Sequence, residues 1–298
     1  MSQVQNLLDP AVLNAISGLD LVAATVVDGF IAGLHRSADF GFSQEFAEYR
    51  AYAPGDDLRH VDWNVYARSD RAYIKRFQGE TNSQLMLLVD ASSSMGFASH
   101  AVSKLAYVRF IAAALAYLAT RRQRDATGLV VFGDTVRDFV PPASRQGHLQ
   151  RVLAALIQAQ PQANTSYAAP LTHLQAFLRR RGMVVVMSDF YAPPADIVRA
   201  VTPLRIHGNE VVLFQVLDPE ELRPNVDGSS MFIDLESGAA LEVSEDYVRG
   251  RYRERIDAHV ADLQREARRA GIGYHLLQTD QPLDQALLQY LRLRTGRD

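Results

Sequence analysis

Cysteine is absent from the 298 residues, and its absence excludes disulfides, thiolate-ligated zinc sites and a cysteine nucleophile. A chain without cysteine suits a reducing compartment, so we expect a cytoplasmic location. The first residues, Met1-Ser2-Gln3-Val4, also lack the basic and then apolar pattern of a signal peptide.

Long hydrophobic runs without charge are missing as well. The two most apolar helical stretches are interrupted, one by Asp20 and Asp28 and the other by Lys104 and Arg109. Charges at such spacings are costly in bilayer hydrocarbon, so both stretches indicate buried amphipathic helices. We therefore expect no stable membrane span.

A strong excess of either charge is also lacking. Lys and Arg number 31, Asp and Glu number 34, and the net charge is −3. The short basic run Arg179-Arg180-Arg181 and the arginines of residues 245–270 are typical of solvated helix faces. Because nucleic-acid binding needs a predominantly basic surface, we expect no nucleic-acid partner.

What the chain does have is a regular alternation of strands and helices from Gln84 to Arg294, with enough apolar residues, 48%, for a sizeable core. This order predicts an α/β fold, a doubly wound and mostly parallel sheet of the Rossmann type. Pro219, Pro224 and Gly228 interrupt the rhythm, and residues 228–243 are predicted to form an inserted β-hairpin. We expect two domains, residues 1–81 and 82–298.

The first of these domains is predicted to be a small α+β subdomain. Asp9-Pro10 is a typical helix start, and the apolar pattern that follows ends near Gly33. Residues 35–80 are rich in aromatic and charged side chains, and residues 71–78 alternate like a strand. One alternative is a metal-dependent nuclease cluster, and its side chains would be Asp56, Asp57, His60 and Asp62. Acidic and basic residues alternate here, however, which favours ion pairing.

Polar side chains follow two strands that are apolar on both faces. The strand Leu85–Val89 leads to Asp90, Ser92 and Ser94, and the strand Met183–Met187 leads to Ser188-Asp189. In an open α/β sheet such side chains gather at the carboxyl edge, where ligands bind. A polar loop adds Thr165. Carboxylate and hydroxyl oxygens form a shell suited to Mg²⁺, or to another divalent cation such as Mn²⁺ or Ca²⁺.

This pattern resembles a known metal site. Asp90-x-Ser92-x-Ser94, a separate Thr165 and a strand-terminal Asp189 look like the metal-ion-dependent adhesion site (MIDAS) of von Willebrand factor type A domains, whose element order is also similar. The threonine loop has Ala163-Asn164 where that family often has glycines, and Phe190 stands where a glycine is frequent.

A second resemblance covers the segment before the sheet. It is similar to the N-terminal signature of the bacterial domain-of-unknown-function family numbered 58, through the residues Glu45-Phe46-x-x-Tyr49-Arg50-x-Tyr52-x-x-Gly55-Asp56-Asp57-x-Arg59-x-x-Asp62-Trp63-x-x-x-Ala67-Arg68. That family is associated with MoxR-type AAA+ ATPases, which remodel or mature other proteins.

The two resemblances together imply a non-enzymatic adaptor. It would bind a protein partner, such as a MoxR-type AAA+ ATPase or its client, through an acidic residue of the partner that completes the metal shell. The alternative is a metal-dependent hydrolase acting on phosphoesters through Asp90 and Asp189. No Gly-x-Ser-x-Gly elbow surrounds Ser92 or Ser93, and the sequence contains no phosphate-binding loop of the Gly-x-x-x-x-Gly-Lys type.

Overall fold

The computed structural model describes residues 9–14, 18–34, 46–51, 73–77, 84–162, 181–225, 228–233 and 240–295. Contacts divide the chain into two compact units, residues 31–82 on one side and residues 1–30 with 83–298 on the other. By these contacts residues 1–30 group with the larger unit, and the boundary predicted from the sequence lies after residue 81. The amide of Asn14 donates a hydrogen bond to the carbonyl of Ala101 at 3.0 Å within that unit.

The described strands are, in chain order, β1 (Phe46–Ala51), β2 (Tyr73–Phe77), β3 (Gln84–Asp90), β4 (Ala126–Phe132), β5 (Val136–Ala143), β6 (Gly182–Ser188), β7 (Glu210–Leu217), β8 (Ser229–Ile233), β9 (Ala240–Ser244) and β10 (Gly273–Gln278).

The described α-helices are α1 (Pro10–Asn14), α2 (Leu19–Leu34), α3 (Lys104–Tyr117), α4 (His148–Gln158), α5 (Pro194–Val201), α6 (Pro219–Leu222), α7 (Arg253–Arg269) and α8 (Asp284–Thr295). A π-helical turn extends α3 to Arg122, and a helical turn with a second π-helical turn, residues 245–252, leads into α7.

Six strands form one sheet in the spatial order β10-β7-β6-β3-β4-β5. All neighbouring pairs are parallel except β4 and the edge strand β5. The predicted α/β class with a doubly wound, mostly parallel sheet is confirmed. Every residue of β3 is buried, as expected for a central strand covered by helices on both faces.

Two further pairs of strands lie outside this sheet. β1 pairs with β2, and β8 pairs with β9, both in antiparallel fashion. β8 falls within the interval 228–243 for which the sequence predicts a hairpin, β9 extends one residue beyond it, and β2 falls within the predicted strand 71–78.

Asp9 and Gly18 lie at the starts of the two N-terminal helices. The carboxylate of Asp9 accepts a hydrogen bond from the amide of Ala11 at 2.8 Å, which caps α1. Gly18 has a φ of 101°, a left-handed conformation that breaks the helical path before α2. Among the helices of the described residues, none combines the length and the apolar character needed to cross a membrane.

Candidate functional site

The carboxyl ends of β3 and β6 lie side by side and bring the predicted side chains together. The two strands pair in parallel register, with Val89 opposite Met187, so the residues that follow leave the sheet at the same edge. Asp90 follows from one strand and Ser188-Asp189 from the other. We call the edge formed by Asp90, Ser92, Ser94, Ser188 and Asp189 the rim.

Asp90 is fully buried, and both of its oxygens accept hydrogen bonds. Oδ1 accepts from the backbone N–H of Ser92 at 2.8 Å, and Oδ2 accepts from the hydroxyl of Ser188 at 2.6 Å. The first bond tightens the turn after β3, and the second joins the two strand ends directly. Asp90 is therefore fixed by donors from two different segments.

The environment of Asp90 disfavours its negative charge. Burial, followed by the nearby negative charge of Asp189, raises the pKa of Asp90 from 3.8 to about 7, although hydrogen bonds from Ser188 and Ser92 act in the opposite direction. A neighbouring cation would reverse this balance. A cation bound at the rim would therefore be stabilised by the negative charges of Asp90 and Asp189.

Ser92 and Ser94 lie on the turn directly after Asp90. Their hydroxyl oxygens are 3.1 Å apart, with Ser92 buried and Ser94 half-buried. A short 3₁₀ helix, Ser93–Gly96, places the two hydroxyls on the same side of the turn. Alternating residues with converging hydroxyls are what the Asp-x-Ser-x-Ser pattern predicts.

The loop that carries Asp189 is held by donors from neighbouring elements. The carbonyl of Asp189 accepts a hydrogen bond from the side chain of Gln215 at 2.8 Å, and the carbonyl of Phe190 accepts one from Nε2 of His259 at 2.8 Å. Phe190 has a φ of 55°, a conformation that is strained for a residue with a Cβ and free of strain for glycine. Its buried ring packs into the core, which offsets this strain.

Lys104 is the partner of Asp189 that the sequence analysis did not identify. Its ammonium group lies 2.8 Å from Oδ2 of Asp189 and 2.6 Å from Oε1 of Glu221, and the side chain has 0% exposure. Burial lowers the pKa of Lys104, but the two carboxylates outweigh burial and the pKa ends above its usual value. The ring of Tyr191 lies 5.1 Å from the ammonium nitrogen, at cation–π distance.

Glu221 reaches Lys104 from a short helix after β7. Asp218 and Glu221 form a capping box: Asp218 Oδ1 accepts from the amide of Glu220, and Glu221 Oε2 accepts from the amide of Asp218, both at 2.9 Å. Ser99 also donates its backbone N–H to Asp218 at 2.9 Å. The cap leaves Oε1 of Glu221 for Lys104.

These oxygens match the chemistry of a hard cation. Two carboxylates and three hydroxyls meet at one edge, and Mg²⁺ typically combines one or two carboxylates with water. Among the described residues, no group of three or more His, Asp or Glu side chains could hold a metal, so a cation here would depend on hydroxyls and water as well as on Asp90 and Asp189.

Other residues singled out in the sequence lie outside the described residues. They are Thr165, predicted as the fifth ligand, and the acidic cluster with a histidine, Asp56, Asp57, His60 and Asp62. Lys104 and Glu221 had weak signals: a lysine beginning an otherwise apolar helix, and an Asp-x-x-Glu capping pattern.

A separate groove of about 680 Å³ lies at the amino ends of β7 and β10, and Arg205 and Arg268 contribute to its lining. In doubly wound sheets, ligands bind beyond the carboxyl ends of the strands, which is the opposite edge. The rim is therefore the candidate site.

Comparison with known proteins identifies relatives of this chain. An uncharacterized protein of Mycobacterium tuberculosis is 31% identical over 278 residues, which cover 91% of this chain and 86% of the relative. Two solved structures are also similar. An aerotolerance-related membrane protein from Bacteroides fragilis has a TM-score of 0.49 at 17% identity, covering 71% of this chain and 97% of that chain. A von Willebrand factor type A protein from Catenulispora acidiphila has a TM-score of 0.36 at 14% identity, covering 45% and 33%.

A family model described as "Protein of unknown function DUF58" matches residues 48–265. The match spans both carboxylates of the rim, together with Lys104 and Glu221. The chain belongs to the DUF58 family.

Proposed function

We propose that this protein is a non-enzymatic adaptor that binds a protein partner through a divalent cation held at the rim. Asp90, Ser92, Ser94 and Asp189 would hold the cation together with Thr165, and Mg²⁺ is the cation expected, with Mn²⁺ or Ca²⁺ as alternatives. Bound there, the cation would supply an electrophilic position for an acidic side chain of the partner.

The observation that supports this proposal is the meeting of Asp90 and Asp189 at one edge, with hydroxyls around them and a raised pKa for Asp90. Two buried carboxylates repel each other, and the single ammonium of Lys104 is shared with Glu221. A divalent cation would relieve this repulsion, and a shell made of carboxylates, neutral hydroxyls and water leaves a position that an acidic group of a partner could take.

The partner we propose is a MoxR-type AAA+ ATPase or its client, with a role in protein remodelling or maturation in the cytoplasm. The family resemblance suggests this partner, and the sequence has no phosphate-binding loop of its own for ATP chemistry. The ATP-driven step would then belong to the partner, and this chain would supply recognition.

A hydrolase could use a histidine as a general base, and His100 is a histidine that contacts a hydroxyl. Nε2 of His100 lies 2.8 Å from the hydroxyl of Thr279, but Nδ1 of the same ring accepts a backbone N–H from Val102 at 3.4 Å. If the imidazole is neutral and Nδ1 accepts this N–H, Nε2 carries the proton and donates to Thr279, which is not the arrangement of a nucleophile with its base. Since the sequence also has no Gly-x-Ser-x-Gly elbow at Ser92 or Ser93, we propose binding rather than hydrolysis.

Calorimetry with Mg²⁺ tests the metal site. Asp90→Ala should abolish the binding heat, because it removes a rim carboxylate, and far-UV circular dichroism would check that the variant is folded. Asp134→Ala is the matched control, since Asp134 is exposed on the turn between β4 and β5 and should leave the heat unchanged. Equal heats from wild type and Asp90→Ala would contradict the metal site.

A pull-down from native lysate tests the partner. Wild-type bait should retain a MoxR-type AAA+ ATPase in Mg²⁺, and both chelator and Asp90→Ala should release it. Retention that is unaffected by chelator and by the substitution would contradict cation-dependent binding, even if the ATPase itself were captured.

A further inference from the structure

The position of Lys104 is energetically unfavourable for a charged side chain. The residue is completely buried and is the first residue of α3, where the positive end of the helix dipole disfavours a cation. Bringing an ammonium into the interior also costs several kcal/mol unless its charge is compensated. Asp189 and Glu221 provide this compensation, so the lysine and the two acids form one unit.

This unit limits how Asp189 can bind a metal. Lys104 donates to Oδ2 of Asp189 at 2.8 Å, so a cation that bound Oδ2 as well as Oδ1 would lie beside the positive charge of the ammonium group. Asp90 is restrained in a similar way, because Ser92 donates to one oxygen and Ser188 to the other. Each carboxylate oxygen keeps a second lone pair for a cation, but these donors fix the orientation of both carboxylates.

Divalent cations differ in how much they need such bidentate binding. Ca²⁺ takes about six to eight oxygen ligands, often including a bidentate carboxylate, whereas Mg²⁺ takes about six in octahedral geometry, with waters and only one or two carboxylates. We propose that Lys104 makes the rim selective for a small six-coordinate cation, Mg²⁺ or Mn²⁺, over Ca²⁺ by keeping Asp189 monodentate. This inference rests on the cation site of the proposed function and adds its selectivity.

A pair of variants separates the lysine's hydrogen bond from its charge. Lys104→Met alone would leave two buried acids without a partner, so we combine it with Glu221→Gln. Together with Asp90, the wild-type unit has three carboxylates and one ammonium, whereas the double variant keeps only the carboxylates of Asp90 and Asp189. Both have the same formal charge, so a change in selectivity must come from the oxygen released at Asp189. Glu221→Gln alone keeps Lys104 on Asp189 and is the control.

Mn²⁺ binding provides the measurement. Electron paramagnetic resonance reports free Mn²⁺, and displacement by Mg²⁺ or Ca²⁺ gives the affinity of each competitor. From both wild type and Glu221→Gln, Mg²⁺ should displace Mn²⁺ more effectively than Ca²⁺ does. In Lys104→Met/Glu221→Gln, the affinity for Ca²⁺ relative to Mg²⁺ should rise by about tenfold or more, because Asp189 becomes free to bind through both oxygens.

The outcomes separate this inference from the function on which it rests. If Mn²⁺ binds and Asp90→Ala removes it, but the Ca²⁺ to Mg²⁺ ratio is the same in the double variant and the control, the role of Lys104 is contradicted and the cation site stands. If wild type binds no Mn²⁺, or binds it as Asp90→Ala does, the cation site is contradicted and its selectivity with it. If the ratio shared by Glu221→Gln and the double variant also differs from that of wild type, the selectivity depends on the carboxylate of Glu221 and not on the Lys104 hydrogen bond.

Discussion

Two regions of this protein use the same kinds of charged side chain in opposite surroundings. At the rim, Lys104 lies 2.8 Å from Asp189 and neither side chain is more than 3% exposed. Along α7, Arg265 lies 2.6 Å from Asp262 and Arg269 lies 2.9 Å from Glu266, but these side chains are in contact with solvent. The distances are similar, so distance alone does not distinguish the two regions.

Exposure to solvent determines how much each ion pair contributes to the free energy of unfolding. Water screens the α7 pairs, and exposed ion pairs of this kind contribute about 0–1 kcal/mol. The charges at the rim are buried and no longer hydrated, so each one is stabilised by its charged partner. Removal of one partner leaves an uncompensated charge in the interior. A buried group of this kind is weak evidence for a role in stability alone, and it is consistent with a site prepared for another charge.

The largest expected effect is that of Lys104→Met. The substitution leaves Asp189 and Glu221 buried without their shared cation, so the metal-free protein should lose about 5 kcal/mol of unfolding free energy, the upper part of the range for a broken buried ion pair. Urea denaturation in the presence of chelator would measure it. Adding Glu221→Gln should restore part of the loss, and a loss below about 1 kcal/mol would show that the rim charges behave like the surface pairs.

The pH dependence of stability should also distinguish the rim. Because the pKa of Asp90 is raised from 3.8 to about 7, the folded protein holds this proton more tightly than the unfolded chain does. The resulting stabilisation is complete below about pH 4 and is lost as the pH rises to about 7, a change of about 4 kcal/mol.

Asp90→Asn is neutral throughout this range, so its unfolding free energy should fall by about 4 kcal/mol less than that of wild type between pH 4 and pH 7. Urea denaturation at a series of pH values, with chelator present, would measure the difference. Parallel curves for the two proteins would contradict the assignment of this titration to Asp90.

The smallest expected effect is that of Arg269→Ala on α7. Its ion pair with Glu266 is exposed, so the unfolding free energy should change by less than about 0.5 kcal/mol, and about 1 M NaCl should remove even that difference. The same urea denaturation would measure it. A loss above about 1 kcal/mol that persists at high salt would contradict the proposed difference between the exposed pairs of α7 and the buried charges of the rim.

Much of the fold and part of the site follow from local patterns. The apolar runs that end at Asp90 and Asp189 predict central strands, and the rule that ligands gather at the carboxyl edge predicts that these two residues meet. The sheet confirms that β3 and β6 are neighbours in register. The prediction worked because strand burial and strand ends are both visible in a short stretch of sequence.

The sequence was less informative about the boundaries of elements. Residues 136–140 predict a short strand at a sheet edge, but β5 continues through Pro141 and Pro142 to Ala143. Proline lacks the N–H that an inner strand needs, yet β5 is an edge strand, where one side of the backbone has no ladder to join. Whether proline is tolerated therefore depends on the position of the strand in the sheet.

The sequence alone determined that two strands of this chain end in acids and hydroxyls, because apolar periodicity and residue identity are local properties. Only the tertiary structure decided that Lys104 lies against Asp189 and Glu221, which are 85 and 117 residues away along the chain. An ammonium can be buried only where folding brings carboxylates to it, and no local pattern records which distant segments will meet.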